Sequence, residues 1–239
     1  VKMEMERERL RGDLLRAVSH DLRTPLTGIL GSVSTVIENY EVLPEEVKKE
    51  FLQGIYEDAE WLSNLVDNIL SMTRFDEGRV LLKREKEAVE EMVAGAVSRI
   101  KKRSKQHEIM ISIPDELIMI SVDGTLIEQV LVNLLDNAIK HTPENTNIHL
   151  TVIREQNSMV FEVRDNGPGI PENDLPFIFN RFFTRRTLSR RGIGLGLAIC
   201  KSIVEAHGGK ISAMNSPSGG LILRFSLPFP PQRFFEKHL

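Results

Sequence analysis

The first residues suited to chemistry are a neighbouring histidine and aspartate, His20 and Asp21. On a helix, Thr24 lies one turn after His20 on the same face. Val18 and Leu22 belong to the apolar stripe of this helix, which predicts that the face with His20 points to solvent. Pro25 removes the backbone hydrogen bond to the carbonyl of Asp21 and costs about 3 kcal/mol inside a helix, which predicts a kink beside His20. The pKa of free imidazole is about 6.5, so a neutral ring is available near pH 7 as a nucleophile. The alternative is an ordinary exposed histidine followed by a chance proline.

A second group of polar side chains recurs along a later helical pattern: Asn133, Asn137, Lys140 and His141. The spacings i, i+4, i+7 and i+8 place them on one side of a helix, opposite an apolar stripe. We expect this side to face a cavity or solvent. Amide oxygens can ligate Mg²⁺ and a lysine can meet phosphate. A plain solvated helix face is the alternative interpretation.

The segment Asp165-Asn166-Gly167-Pro168-Gly169 follows a predicted strand. An acid followed by alternating glycines predicts a tight turn that is open to close approach of a ligand. A carboxylate there can accept a hydrogen bond from an exocyclic amine such as that of adenine. A simple turn is the alternative.

A glycine-rich segment, Gly192-Ile193-Gly194-Leu195-Gly196-Leu197, leads into a predicted helix, where backbone N–H groups can bind phosphate. It does not fit the Rossmann pattern, because Leu197 stands where the third glycine is required and no strand precedes it. It is not a Walker A loop either, because no Gly-Lys-Ser/Thr follows. Four arginines in residues 184–191 favour a phosphate lid or a nucleic-acid patch, and a net charge of −3 disfavours nucleic acid.

Composition narrows the class of protein further. A hydrophobic content of 41% is typical of a globular chain, and the net charge of −3 gives no general attraction to nucleic acid or anionic membranes. The single cysteine, Cys200, excludes an internal disulfide framework, and its apolar surroundings predict a buried, inert thiol. No run of about 18 apolar residues occurs and no signal peptide is evident. We therefore expect a cytoplasmic segment without direct membrane contact, cut from a longer protein.

The elements that must position the first group are two amphipathic helices. Apolar residues recur at spacings of three, four or seven from Leu10 to Val36 and again from Val47 to Met72. Asn39–Pro44 reads as a short turn, which predicts an antiparallel hairpin. One hairpin cannot bury both stripes, whereas two hairpins form a four-helix bundle, so we expect a homodimer. Packing against a distant part of the same chain is the alternative.

The remaining groups belong to an α+β pattern that begins near Leu81. Helices are predicted over 88–105, 125–141 and 195–207, with Thr125 and Glu128 forming a capping box. Short strands are predicted over 110–113, 118–122, 148–154, 159–165, 210–214 and 221–227. Hairpin-like strand pairs with few helices predict helices on one face of a mixed sheet.

Together, and in this order, the motifs resemble those of the sensor histidine kinases of two-component systems, over nearly the whole chain. The matching segments are His20–Pro25 for the H box, Asn133–Lys140 for the N box, Asp165–Gly169 for the G1 box, Phe179–Phe183 for the F box, Gly192–Gly196 for the G2 box and Gly219-Gly220 for the final glycine box. Within that family, Ser19–Thr27, Val122–Gly124 and Asn215–Gly220 look most like the KdpD-type potassium and osmotic-stress sensors.

The resemblance implies a dimerisation and phosphotransfer hairpin over residues 1–78, an ATP-binding α/β sandwich of the gyrase and Hsp90 type over residues 79–230, and a tail over residues 231–239. It implies autophosphorylation of His20, phosphotransfer to an aspartate of a response regulator, and phosphatase activity toward that regulator. The implied partners are a second copy and the response regulator, without nucleic acid. The full-length protein is expected to be membrane-anchored.

The resemblance also implies roles for single residues. His20 would be the phosphoacceptor and Asp21 its base, and Thr24 and Lys140 would be further catalytic residues. Asn137 would be the Mg²⁺ ligand, and Asp165 would recognise adenine. The implied residues for ATP and Mg²⁺ are Asn133, Asn137, Lys140, His141, Asp165, Gly167, Gly169, Ile170, Phe182, Arg185, Gly192, Gly194, Leu195, Gly196 and Leu197.

Two other functions fit parts of the pattern. One is a hydrolytic ATPase or a protein-serine kinase of the same sandwich fold. Related hydrolases carry a glutamate where Asn133 stands, and an amide cannot accept a proton from water, which argues against hydrolysis. The other is a dimeric scaffold without catalysis, or an enzyme acting mainly as a phosphatase. The intact motifs argue against a catalytically dead protein.

Overall fold

The computed structural model describes residue 19 and residues 22–76, 81–101, 107–181, 183–184 and 194–229, with the backbone alone at 64, 67 and 71–76. The chain divides into two compact units, Val1–Glu77 and Gly78–Leu239. In the part of the chain that the structure describes, no helix is both long and apolar enough to cross a bilayer.

The first unit is the helical hairpin that the sequence predicts. Helix α1 occupies residues 22–38 and helix α2 spans Glu45–Asp76. The turn between them closes with a hydrogen bond of 3.0 Å from the N–H of Val42 to the carbonyl of Asn39. Pro44 stands just before α2, and two glutamates occupy the first turn of that helix, where the helix dipole favours negative charge. Local sequence therefore sets both the turn and the start of α2.

Each helix of the hairpin carries a stripe of exposed apolar side chains. On both helices, large apolar side chains with exposed fractions of 37% to 71% recur at alternating intervals of four and three residues, with Ala59 and Ser63 continuing the pattern on α2. We call these side chains the exposed stripe; they are Leu26, Leu30, Val33, Ile37, Leu52, Tyr56, Val66 and Leu70. Alternating spacings of four and three are those of a seam between helices. The exposed stripe is distinct from the more buried positions at Leu22, Ile29 and Leu65.

The second unit contains a mixed five-stranded sheet with strand order β2-β4-β5-β7-β6. Strands β2 and β4 are parallel, whereas the other neighbours are antiparallel. A separate antiparallel pair joins β1 to β3. The strands are β1 Glu85–Ala88, β2 Glu108–Ser112, β3 Met119–Val122, β4 Asn147–Arg154, β5 Ser158–Asp165, β6 Lys210–Asn215 and β7 Leu221–Pro228. The helices are α3 Val89–Ile100, α4 Gly124–His141 and α5 Gly196–Ala206, with a 3₁₀ turn at Leu175–Phe177.

The core of the second unit lies between this sheet and its helices. Phe161 of β5 stacks on Phe225 of β7 with ring centroids 4.7 Å apart. Helix α4 contacts β4 and β5, and α5 contacts β6 and β7. The buried stripe of α4 consists of Ile127, Val130, Leu131, Leu134, Leu135 and Ala138. Burying one such side chain stabilises the fold by about 1.5–3 kcal/mol, so this stripe fixes the rotation of α4 and with it the direction of the polar side chains opposite. The predicted fold class is confirmed.

Two local predictions were wrong. Strand β1 was not predicted, because Glu85-Lys86-Glu87 lacks the apolar alternation of a strand; it pairs with β3 at the edge of the unit. The capping box at Thr125 and Glu128 does not form, since α4 begins at Gly124 and the side chain of Asp123 accepts the hydrogen bond from the N–H of Leu126 at 3.3 Å. Glu128 instead forms a salt bridge with Arg99 at 3.0 Å.

A buried histidine, His207, joins the end of α5 to the start of α4. Its Nδ1 donates to the carbonyl of Ile203 at 2.8 Å, and its Nε2 accepts from the backbone N–H of Asp123 at 3.1 Å. Both bonds require a neutral ring with its proton on Nδ1. Burial lowers the pKa of His207 below its usual 6.5; the bond to Ile203 and the carboxylate of Asp123 oppose this, and the guanidinium of Arg84 reinforces it.

The free energy of unfolding of the second unit should decrease as the pH falls below about 6.5, because the unfolded chain binds a proton at His207 more readily than the folded chain. Above that pH the neutral ring of His207 contributes its full share to the free energy of unfolding. The protonation of one such group changes this free energy by at most about 1.4 kcal/mol per pH unit. Urea unfolding followed through amide resonances of this unit between pH 7.5 and 5.5 measures the slope. His207→Gln should flatten it, while His149→Gln, at an exposed position, should not. Equal slopes in wild type and His207→Gln would contradict this.

Candidate functional site

The centre of the candidate site is the carboxylate of Asp165, the last residue of β5. Its side chain is buried, with 6% of the residue exposed. Oδ1 accepts hydrogen bonds from two backbone N–H groups, that of Gly167 at 2.9 Å and that of Leu221 at 3.2 Å. Both hydrogen bonds end on Oδ1, so two backbone groups hold the carboxylate in one orientation. The direction in which Oδ2 points is therefore set by the backbone.

Two glycines allow the backbone to come this close. Gly220 has φ +92°, and a Cβ there would overlap the carbonyl oxygen of Asp165. A Cβ on Gly167 would lie 2.6 Å from Cγ2 of Thr142 and 3.0 Å from Oδ1 of Asp165. The sequence predicts a turn open to close approach of a ligand, and in the structure the groups that approach these two glycines belong to the protein itself.

The end of the same loop is held by Asn215, which the sequence analysis names only as the start of a KdpD-like segment and not as a site residue. Asn215, the last residue of β6, donates from Nδ2 to the carbonyl of Ile170 at 2.6 Å and accepts at Oδ1 from the N–H of Ile170 at 2.9 Å. Gly169, at φ +71°, lies beside this amide, and a Cβ there would be 2.7 Å from Oδ1 of Asn215. The available signal was the polar residue that ends a strand just before a glycine-rich turn.

The polar side of α4 divides between the interior and solvent. Asn133 is half-buried; its Nδ2 is fully buried and has no hydrogen-bond partner among the described residues. The thiol of Cys200 on α5 donates to the carbonyl of Val130, three residues earlier on α4, at 3.9 Å. Asn137 is half-buried, His141 is exposed, and Lys140 forms a salt bridge with Asp136 at 2.6 Å. The expectation that all four face a cavity or solvent holds less well for Asn133, which lies against α5.

Cys200 itself is buried and unpaired with another cysteine, as predicted. Burial raises the pKa of its thiol to about 12, which makes it inert near neutral pH. It belongs to the packing between α4 and α5 rather than to the reacting groups.

The glycine-rich segment is described from Gly194 onward. Gly194 has φ +68°, Leu195 is buried, and Leu197 is half-buried. Helix α5 begins at Gly196, with a first hydrogen bond of 2.9 Å from the N–H of Ile199 to the carbonyl of Leu195. A loop that enters a helix in this way presents backbone N–H groups that can bind phosphate. Three predicted residues of this region, Phe182, Arg185 and Gly192, lie outside the described residues.

Helix α4 connects the parts of the site that the structure describes. Its end meets the loop after β5 through Thr142, which packs on Gly167, and its middle meets α5, where the thiol of Cys200 donates to the carbonyl of Val130. Thr142 is buried and donates to the carbonyl of Ala138 at 2.7 Å. The sequence analysis does not select it either, since it stands one residue after the predicted helix.

The residues of the H box lie in the first unit. His20 and Asp21 are outside the described residues, so the predicted kink at Asp21 is too. Thr24 is exposed on α1, and Pro25 is buried.

Groups that could hold a nucleotide and its metal are present in the second unit. The buried Nδ2 of Asn133 without a described partner and the carboxylate anchored through one oxygen are polar groups suited to a polar ligand. No three His, Cys, Asp or Glu side chains gather as a metal site within the described ranges. The amide oxygen of Asn137 is a hard ligand of the kind that Mg²⁺ takes together with phosphates.

The fold and this site define an ATP-binding domain, and residues 122–231 match the family "Histidine kinase-, DNA gyrase B-, and HSP90-like ATPase". Residues 10–78, which include His20, match the "His Kinase A (phospho-acceptor) domain". The chain belongs to the sensor histidine kinases of two-component systems.

Individual relatives agree with this family. The sensor protein KdpD of Clostridium acetobutylicum is 56% identical over 230 residues, which make up 95% of this chain and 26% of that protein. The sensor protein KdpD of Escherichia coli is 38% identical over 234 residues, 95% of this chain and 25% of that protein. The chain therefore spans about a quarter of the length of these curated relatives. The chain is thus similar in type to the KdpD sensor kinases.

Solved structures of histidine kinases share the fold. The catalytic domain of histidine kinase ThkA is 32% identical with a TM-score of 0.57, covering 62% of this chain and 97% of that chain. ThkA in complex with the response regulator protein TrrA is 30% identical with a TM-score of 0.71, covering 95% of this chain and 65% of that chain.

The geometry predicts what Asp165→Asn does to nucleotide selection. The two backbone N–H groups should keep the amide oxygen of the new side chain, which leaves its NH₂ group where Oδ2 was. An NH₂ group repels the amine of adenine and suits an acceptor such as the carbonyl of hypoxanthine. ATP affinity should fall about tenfold to a hundredfold while ITP affinity holds or rises.

Calorimetric titration with ATP and with ITP measures both affinities, and Asp115→Asn, at an exposed position, is the matched control. Unchanged selection between ATP and ITP in Asp165→Asn would show that the base of the nucleotide lies elsewhere.

Proposed function

We propose that this chain is the catalytic region of a sensor histidine kinase that transfers the γ-phosphate of ATP to its own His20 and then to an aspartate of a response regulator. The observation that carries the proposal is the buried carboxylate of Asp165, anchored through Oδ1 by two N–H groups. An acceptor held in this way specifies an amine by hydrogen bonding, because a ligand without one leaves the carboxylate unpaired.

The rest of the nucleotide would extend from Asp165 along α4 toward the glycine-rich segment. Asn137 would hold Mg²⁺ through its amide oxygen, and Lys140 would exchange its partner Asp136 for a phosphate. Asn133 and His141 would add polar contacts, and Gly167, Gly169 and Ile170 would shape the adenine side. Backbone N–H groups at Gly192, Gly194, Leu195, Gly196 and Leu197, with Phe182 and Arg185 before them, would close over the phosphates. When bound, Mg²⁺ supplies positive charge that offsets the charge of the phosphates.

The transfer step uses the lone pair of a neutral ring nitrogen of His20. That nitrogen forms a bond to the γ-phosphorus as the bond from phosphorus to the β,γ-bridging oxygen breaks, and ADP leaves with that electron pair. The positive charge on the ring is relieved when Asp21 accepts the proton from its other nitrogen. Asn133 offers no base to activate water, so ATP persists until the histidine attacks.

The response regulator would dock on the hairpin beside His20. ThkA, a relative at 30% identity, has been solved in complex with the response regulator TrrA, which supports a partner of this class. Thr24 is exposed one turn after His20 and could orient water toward a phosphoaspartate, so a phosphatase activity toward the regulator is part of the proposal. Residues 1–78 would serve phosphotransfer and dimerisation, residues 79–230 catalysis, and residues 231–239 form the tail.

The length of the relatives supports a proposal about where the chain is located. The KdpD proteins are sensors about four times its length. We infer that the chain is the cytoplasmic portion of a membrane-anchored sensor, without nucleic-acid partners, and that segments beyond it receive the signal.

Incubation with γ-labelled ATP should place a phosphoramidate on His20. The label should be lost in acid and kept in base, because the P–N bond is cleaved when its nitrogen is protonated. His20→Gln should abolish labelling, and His149→Gln, at an exposed position of the second unit, should keep it. A base-labile product, or labelling that survives His20→Gln, would show that the acceptor is another residue.

The exposed stripe supports a homodimer. Eight large apolar side chains on α1 and α2, between 37% and 71% exposed, form more contiguous apolar surface than scattered surface residues do. A second copy presents the same stripe with the same spacing, so two hairpins would bury both stripes in a four-helix bundle.

Leu30→Glu, at a stripe position 62% exposed, should therefore convert the dimer to a monomer, because it sets a charge in the buried seam. Glu50→Lys, at an exposed position on the side of α2 opposite the stripe, should leave the mass at two chains. Light scattering at micromolar concentration distinguishes these masses. A one-chain mass for the wild-type protein would contradict the dimer.

A further inference from the structure

We infer that Asn215 is a positioning residue for the nucleotide site, which it acts on by fixing the loop that carries Asp165. The inference rests on the proposed function, since it assumes that Asp165 receives the adenine amine. Asn215 stands at the end of β6, and the family resemblance assigns it no role. Its side chain contacts the loop that follows Asp165.

The contact is a two-point hydrogen bond between a side-chain amide and one backbone residue. Nδ2 donates to the carbonyl of Ile170 at 2.6 Å, and Oδ1 accepts from the N–H of Ile170 at 2.9 Å. The amide of Asn215 thus takes the place of a neighbouring β-strand for this single residue. Aspartate has no donor for the carbonyl, and leucine, of similar size, has neither group, so asparagine alone among residues of this shape makes both bonds.

Gly169 has a structural role beside this pair. A Cβ at Gly169 would lie 2.7 Å from Oδ1 of Asn215 and 3.3 Å from the carbonyl oxygen of Gly220. The residue also has φ +71°, a conformation that side chains other than glycine rarely adopt. Gly169 therefore makes room for the Asn215 amide.

The turn between β6 and β7 holds both ends of the Asp165 loop. At the far end Asn215 binds Ile170, and at the near end the N–H of Leu221 binds Oδ1 of Asp165. The turn is itself closed, since the N–H of Ser216 donates to the carbonyl of Gly220 at 2.9 Å. Between these two anchor points the loop has only four residues, so release of one end changes the angle at which the carboxylate leaves β5.

The experiment measures nucleotide selection rather than affinity alone. ATP carries an exocyclic amine, which Asp165 would bind, where ITP carries a carbonyl. Both nucleotides carry the same phosphates, so the negative charge that Asn215→Asp adds should affect both affinities equally and leave their ratio unchanged. Competitive titrations should show that Asn215→Asp and Asn215→Leu each reduce the ATP-to-ITP ratio about tenfold, as expected when a buried acceptor loses its alignment. Asn157→Asp, which makes the same chemical change in the exposed turn between β4 and β5, should leave the ratio unchanged.

A second measurement follows hydrogen exchange at the backbone amide of Ile170, first in the wild-type chain and then in two variants. Amide exchange should show the N–H of Ile170 protected, and this protection should be lost in Asn215→Leu but kept in Asn157→Asp. Fast exchange at Ile170 in the wild-type chain overturns the inference.

The nucleotide results separate the possible failures. An unchanged ratio in both Asn215 variants, even with weaker binding or a lower melting temperature, shows a merely structural role and overturns this inference alone. A wild-type chain that does not prefer ATP over ITP overturns the proposed function and this inference with it.

Discussion

The candidate site depends on one oxygen atom, Oδ1 of Asp165, which accepts hydrogen bonds from Gly167 and from Leu221. The first donor belongs to the loop after β5 and the second to the start of β7, so the carboxylate ties together two segments that are far apart in sequence. A buried carboxylate without partners would be costly, and these two N–H groups stabilise it without using its other oxygen. Structural stability and ligand recognition are thereby assigned to different atoms of the same side chain.

This arrangement requires backbone to approach backbone, and the glycines of the site serve that need. Gly220 admits the carbonyl of Asp165, Gly167 admits the methyl group of Thr142, and Gly169 admits the amide of Asn215. In each case the neighbour is part of the protein. Glycines that sequence reasoning associates with a ligand therefore act here by fixing the loop, and they would influence the ligand through the position of Asp165.

Sequence periodicity was sufficient for the parts of the fold that a hydrophobic face defines. The buried stripe of α4 and the alternation along β7 predicted those elements closely, and the mixed sheet followed from paired strands. Strand β1 was missed because its stability comes from pairing with β3 rather than from its own charged sequence. Asn215 and Thr142 were not selected as site residues for a related reason. Both contact the loop after β5, and a single sequence does not show which distant residues come into contact in the fold. The roles of the individual site residues stay predictions.

Because of the exposed stripe on α1 and α2, we expect the stability of the two units to depend differently on protein concentration. The second unit has a core of its own and is expected to unfold at a temperature that is independent of how much protein is present. A hairpin completed by a second copy follows mass action instead, so its folded fraction rises with chain concentration. Restriction of the full-length protein to a membrane surface would raise the local concentration of hairpins. Anchoring would then act as a thermodynamic support for the phosphoacceptor region as well as a means of placing it in the cell.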